Sequence, residues 1–334
     1  MSTPLQSSWA RPLALALGVA ISLLACRVRA QPPLPREVGR IELPGVSGRI
    51  DHLAIDSEGR RVYIAALGAD KVEVVDLKSG LRVAELAGVR EPQGIVFLPR
   101  TQRLFVAGGE SDDVTAFESG RRIGTVGGLP DADNLRWLAS TGQLFAGYGS
   151  GLVAIDPNSI AIVQRIALLG HPEAFELAER GPEIYVNVPS AGLIVVVDRH
   201  TGKTIAEWRI APDAANFPMA LDEAAHRLYV GTRRPAKLLV YDTGTGRRLS
   251  EAPLCGDVDD LFLDTKGEQV LAVCGEGEVD AIATRRGLDG KALIRLPTRP
   301  GARTGGFEPA SRTLFVAVPA RLGHKAELRL YRLP

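Results

Sequence analysis

The chain has 334 residues, 45% of them hydrophobic, with 36 glycines and 22 prolines, which suits one large core crossed by many short strands and tight turns. The formal net charge is +1, but residues 1–30 hold Arg11, Arg27 and Arg29 and no acid, so the remainder carries 37 basic and 39 acidic residues. A near-neutral chain of this kind excludes nucleic-acid binding driven by phosphate charge.

At the N-terminus, Arg11 precedes an apolar run from Pro12 to Ala25, and Val28–Arg29–Ala30 offers small residues before a cut at Gln31. Residues 1–30 therefore read as an export signal, leaving 31–334 as a single domain in the periplasm or outside the cell. The run is too short for a spanning helix, and no later segment is apolar enough to cross a membrane. The stretch LLAC, ending at Cys26, resembles a lipobox, so a lipoprotein anchored at Cys26 is the alternative. Cleavage at Ala30 leaves only Cys255 and Cys274, which in an oxidising compartment either form a disulfide or stand as two small buried hydrophobes. Their spacing fits no metal or haem site.

A spare strand, Glu37 to Leu43, comes next, and then a repeat. Tyr63, Phe105, Phe145, Tyr185, Tyr229, Leu271 and Phe315 anchor seven units, spaced 42, 40, 40, 44, 42 and 44 residues apart. Each unit opens on a strand that ends in a turn (LAIDSEG, MALDEAA). A second alternating strand follows (RRVYIA, QRLFVA, HRLYVG), then a third (KVEVVD, LIVVVD, KLLVYD). Asp-x-x-Ser/Thr-Gly turns stand at Asp76–Gly80, Asp198–Gly202 and Asp242–Gly246, and a fourth strand closes the unit. No segment has a convincing helical period. Four short antiparallel strands repeated seven times predict an all-β, seven-bladed β-propeller. The last unit stops after its third strand, so the spare strand at the start is expected to complete it and remove two exposed edges.

The RLYV second strand and the VVD…TG end resemble the YVTN β-propeller repeat. Over residues 36–334 the chain resembles the YncE-like seven-bladed propellers of bacterial periplasm and cell surface. Propellers of this broad group include binding proteins, lactonases and subunits of redox enzymes, so the resemblance implies a fold and leaves the function open. The Gly-His…Trp-Asp signature of WD40 propellers is absent. So are the regular tryptophans of quinone-dependent dehydrogenase propellers, since only Trp9, Trp137 and Trp208 occur.

The inner strand of each blade starts beside the central channel. Twelve residues before the anchors stand Asp51, Gln93, Asp133, Glu173, Phe217, Asp259 and Arg303, six of them polar or charged. His52, Asn134 and Asp260 follow these positions, and Glu91, Asp131, His171, Asn216 and Asp257 precede them. This ring reads as a polar, acidic funnel that binds a small molecule or a protein partner through Asp51, Gln93, Asp133, Glu173, Asp259 and Arg303. The plainer reading is a solvated channel mouth whose polar residues hydrogen-bond neighbouring blades. The four acids repel one another unless a cation, a proton or Arg303 compensates. A Ca²⁺ ion or another divalent cation would draw oxygens from Asp51, Asn134, Asn216, Asp259 and Asp260. Six-bladed gluconolactonase-like propellers hold calcium with a similar Glu/Asn/Asn/Asp set.

His52 and His171 point towards the funnel and are the candidate general bases, whereas His200, His226 and His324 lie in turns and loops. The loop GTRRPAK, 231–237, reads as solvated, with a secondary role in contacting an anion. Three functions stay open at this point. They are a non-catalytic binding module, a divalent-metal-dependent lactonase, and an accessory subunit of a periplasmic redox enzyme.

Overall fold

The computed structural model describes Met1 and residues 34–210, 214–284, 294–321 and 323–334. The expected export signal, apart from Met1, and Cys26 lie outside the described residues. No described helix is long and apolar enough to cross a membrane.

Twenty-eight strands form seven four-stranded antiparallel sheets, and the only described helices are the single 3₁₀ turns Leu67–Ala69 and Pro189–Ala191. Blades 1 to 6 take strands in chain order over 53–87, 92–127, 135–167, 174–209, 216–253 and 258–297. Blade 7 joins Gly305–Glu308, Thr313–Val318 and Glu327–Arg332 to the N-terminal strand Arg36–Glu42. That strand pairs antiparallel with Glu327–Arg332, Ile41 opposite Leu328 and Glu42 opposite Glu327, so the expected closure of the last blade is present.

The repeat anchor explains how the blades hold together. Each of the seven anchors lies in a different apolar cluster, and each cluster joins one blade to the next. Phe105 packs with Leu135 and Leu144 between blades 2 and 3, and Phe315 packs with Ile41 and Ile64 between blades 7 and 1. Burying one such aromatic or leucine stabilises by roughly 1.5–3 kcal/mol, repeated at every interface around the ring. The middle strands feed these clusters on both faces, which is why runs such as LIVVVD are buried almost throughout.

The predicted Asp turns form. Asp76 accepts backbone N–H bonds from Lys78 and Ser79 at 2.7 Å each, and Asp198 accepts them from His200 and Thr201 at 2.9 Å each. Asp156 makes the same turn at Asn158, but Ile160 takes the left-handed position, φ 53°, that Gly80 and Gly202 fill at 69°. A side chain there costs about 1–2 kcal/mol. Ile160 also packs against the cluster between blades 2 and 3, which offsets the strain.

The outermost strands share a feature that the repeat did not reveal. In six blades the strand slips register by one residue, and the extra residue is Val38, Val83, Ile123, Val163, Ile205 or Leu249. All six are exposed, by 38% to 55%. A bulge leaves this residue unpaired and twists the edge, which keeps these six edge strands from pairing with other chains.

Cys255 and Cys274 form a disulfide with Cα atoms 5.8 Å apart, the first of the two alternatives that the sequence allowed.

Candidate functional site

The inner strands start at a cavity of about 610 Å³, lined by residues from all seven blades. Asp51, Gln93, Asp133, Glu173, Phe217, Asp259 and Arg303, the ring picked out by spacing, all line it, as do His52 and His171. Asn134 and Asp260 also line the wall, but Asn216 is not among the described lining residues.

Much of the polar ring clamps adjacent blades. Asn216 donates through Nδ2 to Asn187 Oδ1 at 2.9 Å and to the Leu193 carbonyl at 3.2 Å, and Asn187 donates to the Phe217 carbonyl at 2.9 Å. Asn134 Nδ2 donates to the Glu173 carbonyl at 2.6 Å, tying blade 3 to blade 4. Asp260 Oδ2 accepts from the Gly305 N–H at 2.8 Å, tying blade 6 to blade 7. These are the buried polar pairings that a ring of sheets needs where its backbone would otherwise be left unsatisfied. They also bear on the expected calcium set. The amide nitrogens of Asn134 and Asn216 and one oxygen of Asp260 are engaged by neighbouring blades, and Asp51 and Asp259 face protein cations.

The expected imbalance of charge is met by Arg303, as the sequence suggested, and by Arg49 and Arg233, which the sequence reading passed over or placed in a solvated loop. Arg49 Nη2 lies 2.6 Å from Asp51 Oδ2, and Asp51 is almost fully buried. Arg233, from the loop read as solvated, turns inward. Its Nε donates to the Val258 carbonyl at 2.9 Å, its Nη2 donates to Asp259 Oδ1, and its guanidinium lies 3.8 Å from the centre of the Phe217 ring. That contact explains the single apolar member of the ring, because an aromatic face attracts the cation. Arg303 Nη2 meets Asp257 Oδ2 at 2.9 Å, and Arg49 and Arg303 both stand 4.0 Å from Asp259 Oδ2. A Cβ on Gly275 would fall 2.1 Å from Asp257 Oδ2, so only glycine lets this carboxylate lie against the second strand. Burial, and then Asp51 and Asp260, push the Asp259 carboxyl up to about 7, although Arg233 and Arg49 pull it down.

His52 lies between two acids, with Nε2 3.5 Å from Asp51 Oδ1 and Nδ1 3.3 Å from Asp260 Oδ1. Burial opposes its charge, but Asp260 and Asp51 outweigh burial and raise it to about 10. The two acids therefore favour its protonated form, and a general base must act from the neutral one.

Across the cavity, blades 3 and 4 present a different grouping. His171 Nε2 stands 3.6 Å from Asp133 Oδ2, and its Nδ1 stands 3.4 Å from Asp131 Oδ2. The neighbouring Asp133 carboxylate raises His171, against burial, with Asp131 and Glu173 adding to the rise. Burial and the charge of Asp133 push Glu173 up, against the pull of His171 and Arg233. Deeper in the wall, Arg136 Nε and Glu176 Oε1 pair at 3.5 Å.

Many solved structures are similar to this one, two of them as follows. A chain of Kuenenia stuttgartiensis hydrazine synthase matches with a TM-score of 0.73 and 14% identity, over 82% of this chain and 95% of that one. A chain of a mitotic checkpoint complex matches with a TM-score of 0.73 and 14% identity, over 98% of this chain and 99% of that one. At such identity the likeness establishes architecture alone. No family model and no curated protein matches the chain. The chain is a seven-bladed β-propeller, a fold compatible with a binding module.

Proposed function

We propose that this propeller is a binding module whose ligand is a small, polar molecule with both anionic and cationic groups, seated in the cavity where the inner strands begin. The observation that carries the reading is the placement of charge around that cavity. Arginines Arg49, Arg233 and Arg303 come from blades 1, 5 and 7, and Asp131, Asp133 and Glu173 come from blades 3 and 4. A volume of about 610 Å³ is of the size that small-molecule sites occupy. The resemblance to YncE-like, YVTN-repeat propellers supports an exported protein of this kind, and a disulfide suits a periplasmic or extracellular setting.

The test is thermal unfolding of the full chain in EDTA with a panel of amino acids, dicarboxylates, diamines and sugar acids. A saturable rise in Tm with one class, lost in Arg233→Gln, supports the reading. No shift across the panel, together with unchanged behaviour of Arg233→Gln, overturns it and leaves a solvated channel mouth. The lactonase alternative is read in the same preparations. Turnover of a sugar lactone that is restored by Ca²⁺ after EDTA would replace the binding reading with a hydrolytic one. Co-purification with a redox enzyme would favour the accessory-subunit reading.

A further inference from the structure

One group in the cavity wall is not committed to holding blades together. Among the described residues, the side chains of Asp133, His171 and Glu173 make no hydrogen bond to a neighbouring blade's backbone, unlike Asn134, Asn216 and Asp260. Their backbones are nevertheless fixed. The Asp133 N–H donates to the Gly147 carbonyl at 3.0 Å, the Glu173 N–H donates to the Asn187 carbonyl at 3.1 Å, and the Asn134 amide holds the Glu173 carbonyl. One carboxylate oxygen from each acid and one ring nitrogen of His171 lie within 4.8 Å of one another. Asp133 is largely buried, with its side chain 12% exposed, and its carboxylate faces this group. His171 Nδ1 is buried and has no hydrogen-bond partner, with Asp131 Oδ2 3.4 Å away.

We propose that Asp133, His171 and Glu173 bind a divalent transition-metal ion, with Asp131 as the positioning residue for His171. The donor set decides the class of ion. One imidazole nitrogen with two carboxylates suits Zn²⁺ and its neighbours, whereas Ca²⁺ takes six to eight oxygens. Ligands around a tetrahedral Zn²⁺ at ~2.1 Å stand roughly 3.4 Å apart, so the three side chains, within 4.8 Å of one another, need to close by at most about 1.4 Å. A fourth position faces the cavity, as in sites that keep one ligand place open. A carboxylate beside the second ring nitrogen is the usual means of fixing a ligating histidine. The site uses none of the arginine-paired acids and does not depend on an organic ligand occupying the cavity.

The experiment is calorimetric titration of the full chain with ZnCl₂ after chelator treatment and desalting, on wild type, His171→Ala, Glu173→Gln, Asp131→Asn and Asp260→Asn. His200→Ala, in an exposed turn, serves as the control. The expected result is saturable Zn²⁺ binding that is weakened at least tenfold in His171→Ala and Glu173→Gln, weakened less in Asp131→Asn and unchanged in His200→Ala. Circular dichroism and Tm in EDTA confirm folding; Glu173→Gln, which keeps side-chain size, decides the matter if His171→Ala does not fold. No binding by wild type up to millimolar Zn²⁺ overturns the site. So does binding unchanged in both ligand variants, or binding lost in Asp260→Asn and kept in His171→Ala. The panel of organic solutes is run in EDTA, so failure of this site and failure of the binding reading are told apart.

Discussion

The two sides of the cavity solve the same electrostatic problem in different ways. Around Asp259 the chain supplies its own cations, with Arg233 bonded to it and Arg49 and Arg303 4.0 Å away. Around Asp133 and Glu173 the facing group is the imidazole of His171 rather than an arginine, and Glu173 is pushed up by burial and by its neighbour. The first side is a closed network, in which loss of one member strands another. The second holds more negative charge than the chain neutralises, so a cation from outside relieves it. Buried charge is retained where it is paired, and unpaired carboxylates mark where something else is to bind.

The sharpest way to break this comparison is Arg233→Gln. It leaves Asp259 buried without its bonded partner and is expected to cost about 3 kcal/mol or more, read from urea unfolding. A loss below ~1 kcal/mol would show that the arginine side is not a closed network.

Next in size is the pH response. The folded-state pKa of His52, about 10, lies above its ordinary 6.5, so its stabilising contribution is complete below about 6.5 and is lost as pH rises towards 10. Asp259 acts with the same sign at lower pH, its contribution fading between its ordinary 3.8 and about 7. The fall in stability between pH 7 and 10 should therefore be shallower in His52→Gln than in wild type, by on the order of 3 kcal/mol. Parallel curves for the two proteins would remove His52 from the account.

On the other side, Glu173→Gln should raise stability by about 0.5–1 kcal/mol in EDTA, because it removes one of two crowded carboxylates. A loss of stability instead would place Glu173 in the closed network. The smallest effect is expected far from the cavity. Val163→Thr at the outer bulge of blade 3 should change stability by less than about 0.5 kcal/mol while leaving the cavity unaffected.

The fold was legible in the sequence because each blade repeats one apolar decision. An aromatic or leucine must stand where the second strand meets the next blade, and all seven anchors do so. Counting back from them located the cavity wall. The roles within that wall were less legible. Residue type alone offered Asn216 and Asp260 as cation ligands and gave no sign that both also clamp adjacent blades. Arg233 sits at the end of a second strand rather than in the ring, and its long side chain brings it in across Phe217. The outer bulges escaped notice because an extra valine or isoleucine in a short strand leaves the alternating pattern nearly intact.

The most direct measurement is the electron density of the cavity in crystals of protein purified without chelator. The account predicts ordered, non-water density in contact with Asp133, Glu173 and at least one of Arg49, Arg233 and Arg303. Water alone in the cavity, with Asp133 and Glu173 drawn to those arginines, would contradict it.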